Sequence, residues 1–184
     1  EFVRVDLNEI VRGVISDLEV RLEQTEGRIK VGNLPTVLAD PMQMRQVFQN
    51  LIGNALKFKK SGVPPVVQVA AKLGKNGHTI VVQDNGIGFE QEYAERVFEI
   101  FKRLHGRSEY EGTGMGLAIV KKILERHVGG IRAESEKGKV SRFILTLANH
   151  RDSAEMIKKT FVEDTPRVDN QRQALATEME KELA

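Results

Sequence analysis

The 184 residues include no cysteine and no tryptophan. Without cysteine there is no disulfide scaffold, no thiolate zinc or iron–sulfur ligation and no thiol nucleophile, so any chemistry runs on oxygens, amides and ammonium groups. Long apolar runs are also missing. Unbroken stretches reach only a few residues, against the ~20 needed to cross a bilayer, and the N-terminus has no signal-peptide pattern. The chain therefore reads as soluble and cytoplasmic, with no direct membrane contact of its own. A surplus of one charge sign is absent too: 28 Lys and Arg face 26 Asp and Glu, too small a difference to argue for nucleic acid. The balance is uneven, however. Residues 148–184 carry six basic and eight acidic side chains, leaving 22 against 18 in residues 1–147, a mildly cationic body suited to a small anionic ligand. The length fits one globular domain of roughly 100 to 200 residues with an appendage.

Hydrophobic spacing and breakers place the elements. Asp6 and Glu9 form a capping-box pattern, and Leu7, Ile10, Val11, Val14, Leu18 and Leu22 recur at helical spacing, predicting a first helix from about Leu7 to Gln24. Arg28 to Gly32 and Thr36 to Ala39 are short strand candidates. Asp40 and Pro41 announce a second helix, an acceptor at the N-cap followed by proline, which stops near Lys59 before Gly62, Pro64 and Pro65. Val66 to Leu73 and His78 to Asp84 are extended, joined by turn-forming residues 74–77. A glycine loop follows at Asn85 to Gly88, then a short helix near Gln91 to Phe101. A second glycine loop, Gly112 to Gly116, opens directly into a helix from Leu117 to His127, and strands near Ile131 to Ser135 and Arg142 to Ala148 close the order. Helices combined with mostly paired strands imply an α/β fold, a two-layer sandwich with helices over one face of a mixed sheet. Residues 149–184 have few large apolar side chains and a break at Pro166, which predicts an extension, helical in two pieces.

Three polar groups stand out. On the helix from Pro41, apolar residues cover more than one face, yet Asn50, Asn54 and Lys57 align at i, i+4 and i+7. Buried amides and ammonium groups need partners, and neighbouring backbone or a ligand can supply them. An Asn carbonyl is a hard oxygen suited to Mg²⁺, and a lysine supplies a point charge to phosphate. Second, Asp84-Asn-Gly-Ile-Gly88 ends a strand. Its glycines permit close backbone approach, and its carboxylate can accept from an exocyclic amine, although such segments are also ordinary turns. Third, Gly112-Thr-Gly-Met-Gly116 precedes a helix, offering backbone N–H groups and a positive helix dipole to phosphate. Polar residues 109–111 rather than a strand precede it, which rejects a dinucleotide fingerprint, and no GxxxxGK[ST] loop occurs.

Taken together, the run from Asn50 to Phe58, Asp84 to Gly88, Phe98-Glu-Ile-Phe101 and Gly112 to Leu117 resembles the N, G1, F and G2 boxes of sensor histidine kinases. These kinases share a superfamily with DNA gyrase, the ninety-kilodalton heat-shock chaperones and the mismatch-repair ATPases. The resemblance spans residues 2–148 and implies a Bergerat-type ATP-binding fold that takes ATP and Mg²⁺. It implies Asn54 as the Mg²⁺ ligand, Asp84 as the reader of the adenine amine and Lys57 as a phosphate contact. Phe58 and Ile87 would line the adenine pocket and Gly86 and Gly88 its floor. Gly112, Thr113, Gly114, Gly116 and Leu117 would form the hinge and helix start of an ATP lid from about Lys102, whose Arg103 would reach the terminal phosphate. Phe98 and Phe101 are expected to pack rather than touch ligand.

Position 50 discriminates within the superfamily. Gyrase-like and chaperone ATPases carry a glutamate four residues before the metal-binding Asn, and here an amide, Asn50, stands there. An amide is no general base at neutral pH, so phosphoryl transfer to a side chain is favoured over water attack. The resemblance implies catalytic roles for Asn50, Lys57 and Arg103. It also implies an acceptor histidine on a dimerisation hairpin of the same kinase, and a response regulator downstream, since none of His78, His105, His127 or His150 has the acceptor's context. The chain would then be the cytoplasmic part of a soluble or membrane-bound sensor. A nucleotide-sensing module without catalysis and an anti-sigma-type serine kinase are the alternatives. Two departures from the family pattern are Val128, where a glycine is common, and Val140. In the tail, residues 161–164 resemble the acidic first strand of receiver domains, but no phosphorylatable aspartate follows at the length such a domain needs, which rejects that reading. Leu175, Met179 and Leu183 form a stripe able to pack on this domain or a partner.

Overall fold

The computed structural model describes residues 1–74, 77–100 and 113–148. In chain order they form β1 (Val3–Asp6), α1 (Leu7–Asp17), α2 (Glu19–Thr25), β2 (Arg28–Val31), β3 (Thr36–Ala39), α3 (Pro41–Lys57), β4 (Val66–Leu73) and β5 (Gly77–Asp84). Two 3₁₀ turns follow (Gln91–Tyr93 and Arg96–Phe98), then α4 (Gly116–Arg126), β6 (Gly130–Glu136) and β7 (Val140–Ala148). The main sheet has the order β2-β4-β5-β7-β6, with β2 parallel to β4 and the remaining pairs antiparallel, while β1 and β3 pair as a separate ribbon. This is the expected mixed sheet with helices on one face.

Strand alternation sorts the two faces. Val67 and Val69 of β4, Ile80 and Val82 of β5, Phe143, Leu145 and Leu147 of β7 and Ala133 of β6 are buried. Against them pack Leu7, Val11 and Val14 of α1, Met44, Val47, Phe48, Leu51 and Ile52 of α3, and Val120 and Leu124 of α4. The opposite face carries Gln68, Gln83 and Arg142 in one cross-strand row, joined by a 2.6 Å hydrogen bond from Arg142 Nε to Gln83 Oε1. Phe98 is buried and meets the Phe143 ring edge-on at 6.3 Å, so it packs as expected.

Three differences from the sequence reading have physical causes. The first helix divides at Leu18, whose N–H is shared between the Val14 and Ile15 carbonyls. The apolar stripe continues through Leu18 and Leu22 at unchanged spacing, so periodicity is blind to a one-residue break. β1 has four residues and one buried side chain, Val5, too little for alternation to register. The helix expected over Gln91 to Phe101 is two 3₁₀ turns within the described part, held by i+3 bonds such as Tyr93 N–H to the Glu90 carbonyl at 2.9 Å. Phe101 and the extension from Asn149 lie outside the described residues.

Helix α4 ends in a Schellman pattern: the Gly129 N–H bonds the Leu124 carbonyl at 2.8 Å and the Val128 N–H bonds the Glu125 carbonyl at 3.1 Å. This requires a left-handed residue, and Val128 supplies it at φ 55°, a conformation hostile to β-branched side chains. Beside it, His127 is buried with both ring nitrogens paired. Nδ1 donates to the Ile123 carbonyl at 2.7 Å and Nε2 accepts from the Asp40 N–H at 3.0 Å, tying the end of α4 to the start of α3. Burial lowers the His127 pKa and keeps the ring neutral, as an accepting Nε2 requires. Replacing Val128 by glycine relieves the strain at some cost in backbone entropy, and should stabilise the protein by about 1 kcal/mol. A thermal melt checks this, with Tm expected to rise by roughly 2–4 °C.

Candidate nucleotide-binding site

Asp84 is the last residue of β5 and lies on the core face between Val67 and Ser141 of the neighbouring strands. It is 7% exposed. Its Oδ1 accepts the Gly86 N–H at 2.8 Å, and among the described residues nothing bonds Oδ2. Burial pushes the Asp84 pKa up to about 6, opposed by the Gly86 N–H, which favours the ionised form. The carboxylate thus presents one committed and one open oxygen.

The loop after Asp84 is gripped on three sides. Ile87 N–H donates to the Phe58 carbonyl at the end of α3 (2.9 Å), and Gly138 N–H in the β6–β7 turn donates to the Ile87 carbonyl (2.6 Å). On the third side, Asn85 Oδ1 accepts from Val66 N–H (2.8 Å), while its Nδ2 donates to the Pro64 carbonyl (3.3 Å). Here glycine is obligatory. A Cβ on Gly86 would stand 2.4 Å from the Phe58 carbonyl oxygen, and one on Gly88, at φ 58°, 2.3 Å from the Glu136 carbonyl oxygen.

The stripe on α3 flanks this loop. Asn50, Asn54 and Lys57 are half-buried rather than buried. Among the described residues no donor or acceptor engages the Asn54 carboxamide. Asn50 is turned back on its own helix, its Nδ2 donating to the Gln46 carbonyl at 2.9 Å, while its Oδ1 lies where a Cβ on Gly116 would come within 2.6 Å. The amide therefore abuts the start of α4. The Lys57 ammonium sits 4.8 Å from the centroid of the Phe58 ring, beside the gripped loop. The second glycine loop enters α4 through Gly114 at φ 71°, and α4 has no side-chain cap at its N-terminus. Among the described residues no side chain caps its first-turn N–H groups, including that of Leu117, as an anion-binding terminus requires.

Asn50, Asn54 and Lys57 thus stand on α3 with Phe58 at its end, Asp84 ends β5 ahead of Gly86, Ile87 and Gly88, and Thr113 and Gly114 lead into Gly116 and Leu117 at the start of α4. Arg103, Gly112 and His105 lie outside the described residues. Sequence reasoning passed over Ser135 and Ser141. Ser141 is buried opposite Asp84, with its Oγ 3.4 Å from the Ser135 hydroxyl. Only the strand register brings these hydroxyls to the loop; a serine on a strand's inward face is the one signal the sequence holds.

Residues 39–151 match the model of the histidine kinase-, DNA gyrase B- and HSP90-like ATPases. The chain belongs to this family. Within it, the chain is 44% identical over 142 residues to phytochrome-like protein Cph1 of Synechocystis sp., which covers 77% of this chain and 19% of that protein. It is 39% identical over 149 residues to the sensor protein RprX of Bacteroides fragilis, covering 78% and 28% respectively. Among solved structures, a nucleotide-free catalytic domain of histidine kinase ThkA superposes with TM-score 0.68 at 25% identity, over 81% of this chain and 98% of that one. Full-length ShkA in complex with AMPPNP gives 0.69 at 28% identity, over 81% and 32%. The chain spans 19% of the length of the first curated relatives, so it corresponds to one region of longer proteins. That region of this ATPase family is homologous to the catalytic domains of sensor histidine kinases.

An ionised carboxylate at this depth is a stability cost, and the sign follows from linkage. The folded pKa of Asp84 is about 6 against an ordinary aspartate value of 3.8, so the folded state binds more protons between these values and stability falls as pH rises through them. Asp84→Asn should therefore stabilise the nucleotide-free protein at pH 7.5, by up to roughly 3 kcal/mol, and leave it unchanged near pH 3. Chemical denaturation at several pH values reads this directly. The same variant should lose ATP binding in calorimetry.

Proposed function

We propose that this domain binds Mg-ATP and donates the γ-phosphoryl group to a histidine on a separate helical dimerisation hairpin of the same kinase. A response regulator would then receive the phosphate. The observation that carries this reading is the buried Asp84 carboxylate with its open oxygen, set in a gripped glycine loop one helix away from an unengaged Asn54 amide. An adenine exocyclic amine is a donor that matches Oδ2, while the adjoining Gly86 backbone limits how large a group fits beside it. Kinship with the catalytic domains of sensor histidine kinases supports the same assignment.

Roles follow from position. Phe58 and Ile87 are held together by the Phe58 carbonyl and offer apolar surface to the base. Asn54 offers one hard oxygen to Mg²⁺. Among the described residues no three His, Asp or Glu side chains gather as a metal site, so the ion would take its other ligands from phosphates and water. It would neutralise charge between the phosphates. Lys57 and Arg103 add positive charge there, and the open N-terminus of α4, with Thr113, Gly112, Gly114 and Gly116 before it, adds backbone donors. Asn50 is no general base toward water, which favours a nucleophile that arrives on the partner hairpin. Its imidazole nitrogen forms the bond to phosphorus as the bond to the bridging oxygen breaks and ADP leaves, with positioning and charge supplying the catalysis. Residues 1–148 would form this unit and 149–184 its extension.

Mixing the chain with radiolabelled ATP and a purified dimeric hairpin bearing its histidine should yield acid-labile, alkali-stable phosphate on the hairpin. Acid-stable phosphoserine on a partner would instead indicate a serine kinase, and binding without transfer to any partner a sensing module. Asn54→Ala should remove most of the Mg²⁺ dependence of ATP affinity while adenosine affinity stays within about twofold. Equal affinity of the wild type for ATP with and without Mg²⁺ would overturn the metal assignment.

A further inference from the structure

We propose that Ser135 is a positioning residue for nucleotide binding: its hydroxyl latches the Asp84–Phe89 loop to the β6–β7 turn and so sets the adenine pocket's floor. The inference deepens the proposed function and rests on it. Ser135 Oγ accepts the Phe89 N–H at 2.9 Å and donates to the Val140 carbonyl at 2.8 Å. A hydroxyl performs both tasks with one atom, and alanine performs neither.

The location gives this bond leverage. Val140 lies across the hairpin, and its carbonyl oxygen would be 3.1 Å from a Cβ on Gly88, so the group Ser135 orients is itself part of the wall against the loop. Gly88 takes its left-handed conformation against that wall. The chain beyond Phe89 is fastened to the same place: Gln91 Oε1 accepts the Ser135 N–H at 2.8 Å, and its Nε2 donates to the Ala133 carbonyl at 3.4 Å. The Gln91 amide therefore occupies the outer edge of β6, where a further strand would otherwise pair. At its other end the loop is anchored by Asp84 Oδ1 and the Phe58 carbonyl. Ser135 is the side chain that closes the circuit between these ends. Among the described residues its hydrogen-bond partners are Phe89, Gln91, Val140 and Ser141, none of them assigned above to touch nucleotide, so its effect passes through backbone placement.

Such a latch should act on the base and not on the phosphates. Calorimetry of the 184-residue chain with ATP and with adenosine should show Ser135→Ala weakening both by the same factor, about fivefold to tenfold, leaving their ratio unchanged. Ser135→Thr keeps the hydroxyl and should restore both affinities, while Ser135→Cys, of similar volume with a weak donor, should fall between. Measured well below each variant's melting temperature, a merely structural role predicts lower Tm with unaltered affinities. Adenosine affinity within twofold of wild type in the alanine variant overturns the latch, as does failure of threonine to rescue. Should the alanine variant not fold, the cysteine variant decides by the same two affinities. A wild-type chain that binds neither ligand overturns the proposed function and the latch together.

Discussion

Everything at the site depends on how little room the chain leaves around residues 84–88. The Phe58 carbonyl presses from α3 and the Glu136 carbonyl from the β6–β7 turn, each where a single added carbon would collide. Backbone that close to backbone must be hydrogen-bonded to be tolerated, and it is, through Ile87, Gly86 and Phe89 N–H groups. The consequence is a loop whose position is fixed by groups from α3, β5 and the β6–β7 hairpin together. A nucleotide therefore meets a floor already formed, and less ordering has to be supplied on binding.

That rigidity is what makes Asp84 useful. A carboxylate carried on a yielding loop would swing toward water and recover its hydration. At the end of β5, flanked by Val67 and Ser141, it has nowhere to go. It keeps one oxygen for the loop and holds the other ready, in an environment that raises its proton affinity. A ligand donor replaces the missing hydration, so the stability sacrificed by the free protein returns as affinity and as selectivity for a donor at that point. The phosphate side works differently. There the groups are half-buried, with one of them, Lys57, over an aromatic ring, and a helix start that no described side chain caps; these suit a ligand group that carries its own charge.

Much of this is legible in the amino-acid sequence. Asn50, Asn54 and Lys57 align because a helix has 3.6 residues per turn, and glycine clusters beside strand and helix ends report close approach whatever the fold. What stayed hidden depended on register and on competing local geometry. Ser135 and Ser141 matter because β6 pairs with β7 and β7 with β5 in one alignment out of several, which spacing alone cannot select. The break at Leu18 leaves the apolar stripe intact, and the Gln91 amide that ties the first 3₁₀ turn to the β6 edge has no signature in residue spacing. Val128 was visible as a departure, and its left-handed conformation explains why glycine suits that position.

The central claim is that Asp84 is a buried, fixed carboxylate whose open oxygen receives the adenine amine. Carbon-detected NMR of the Asp84 carboxyl, titrated from pH 3 to pH 8 with and without ATP, tests it most directly. The account predicts a midpoint near pH 6 in the free protein, well above an ordinary aspartate, moving downward when nucleotide supplies a donor to the ionised form. A midpoint near pH 4 that ATP leaves in place would contradict it.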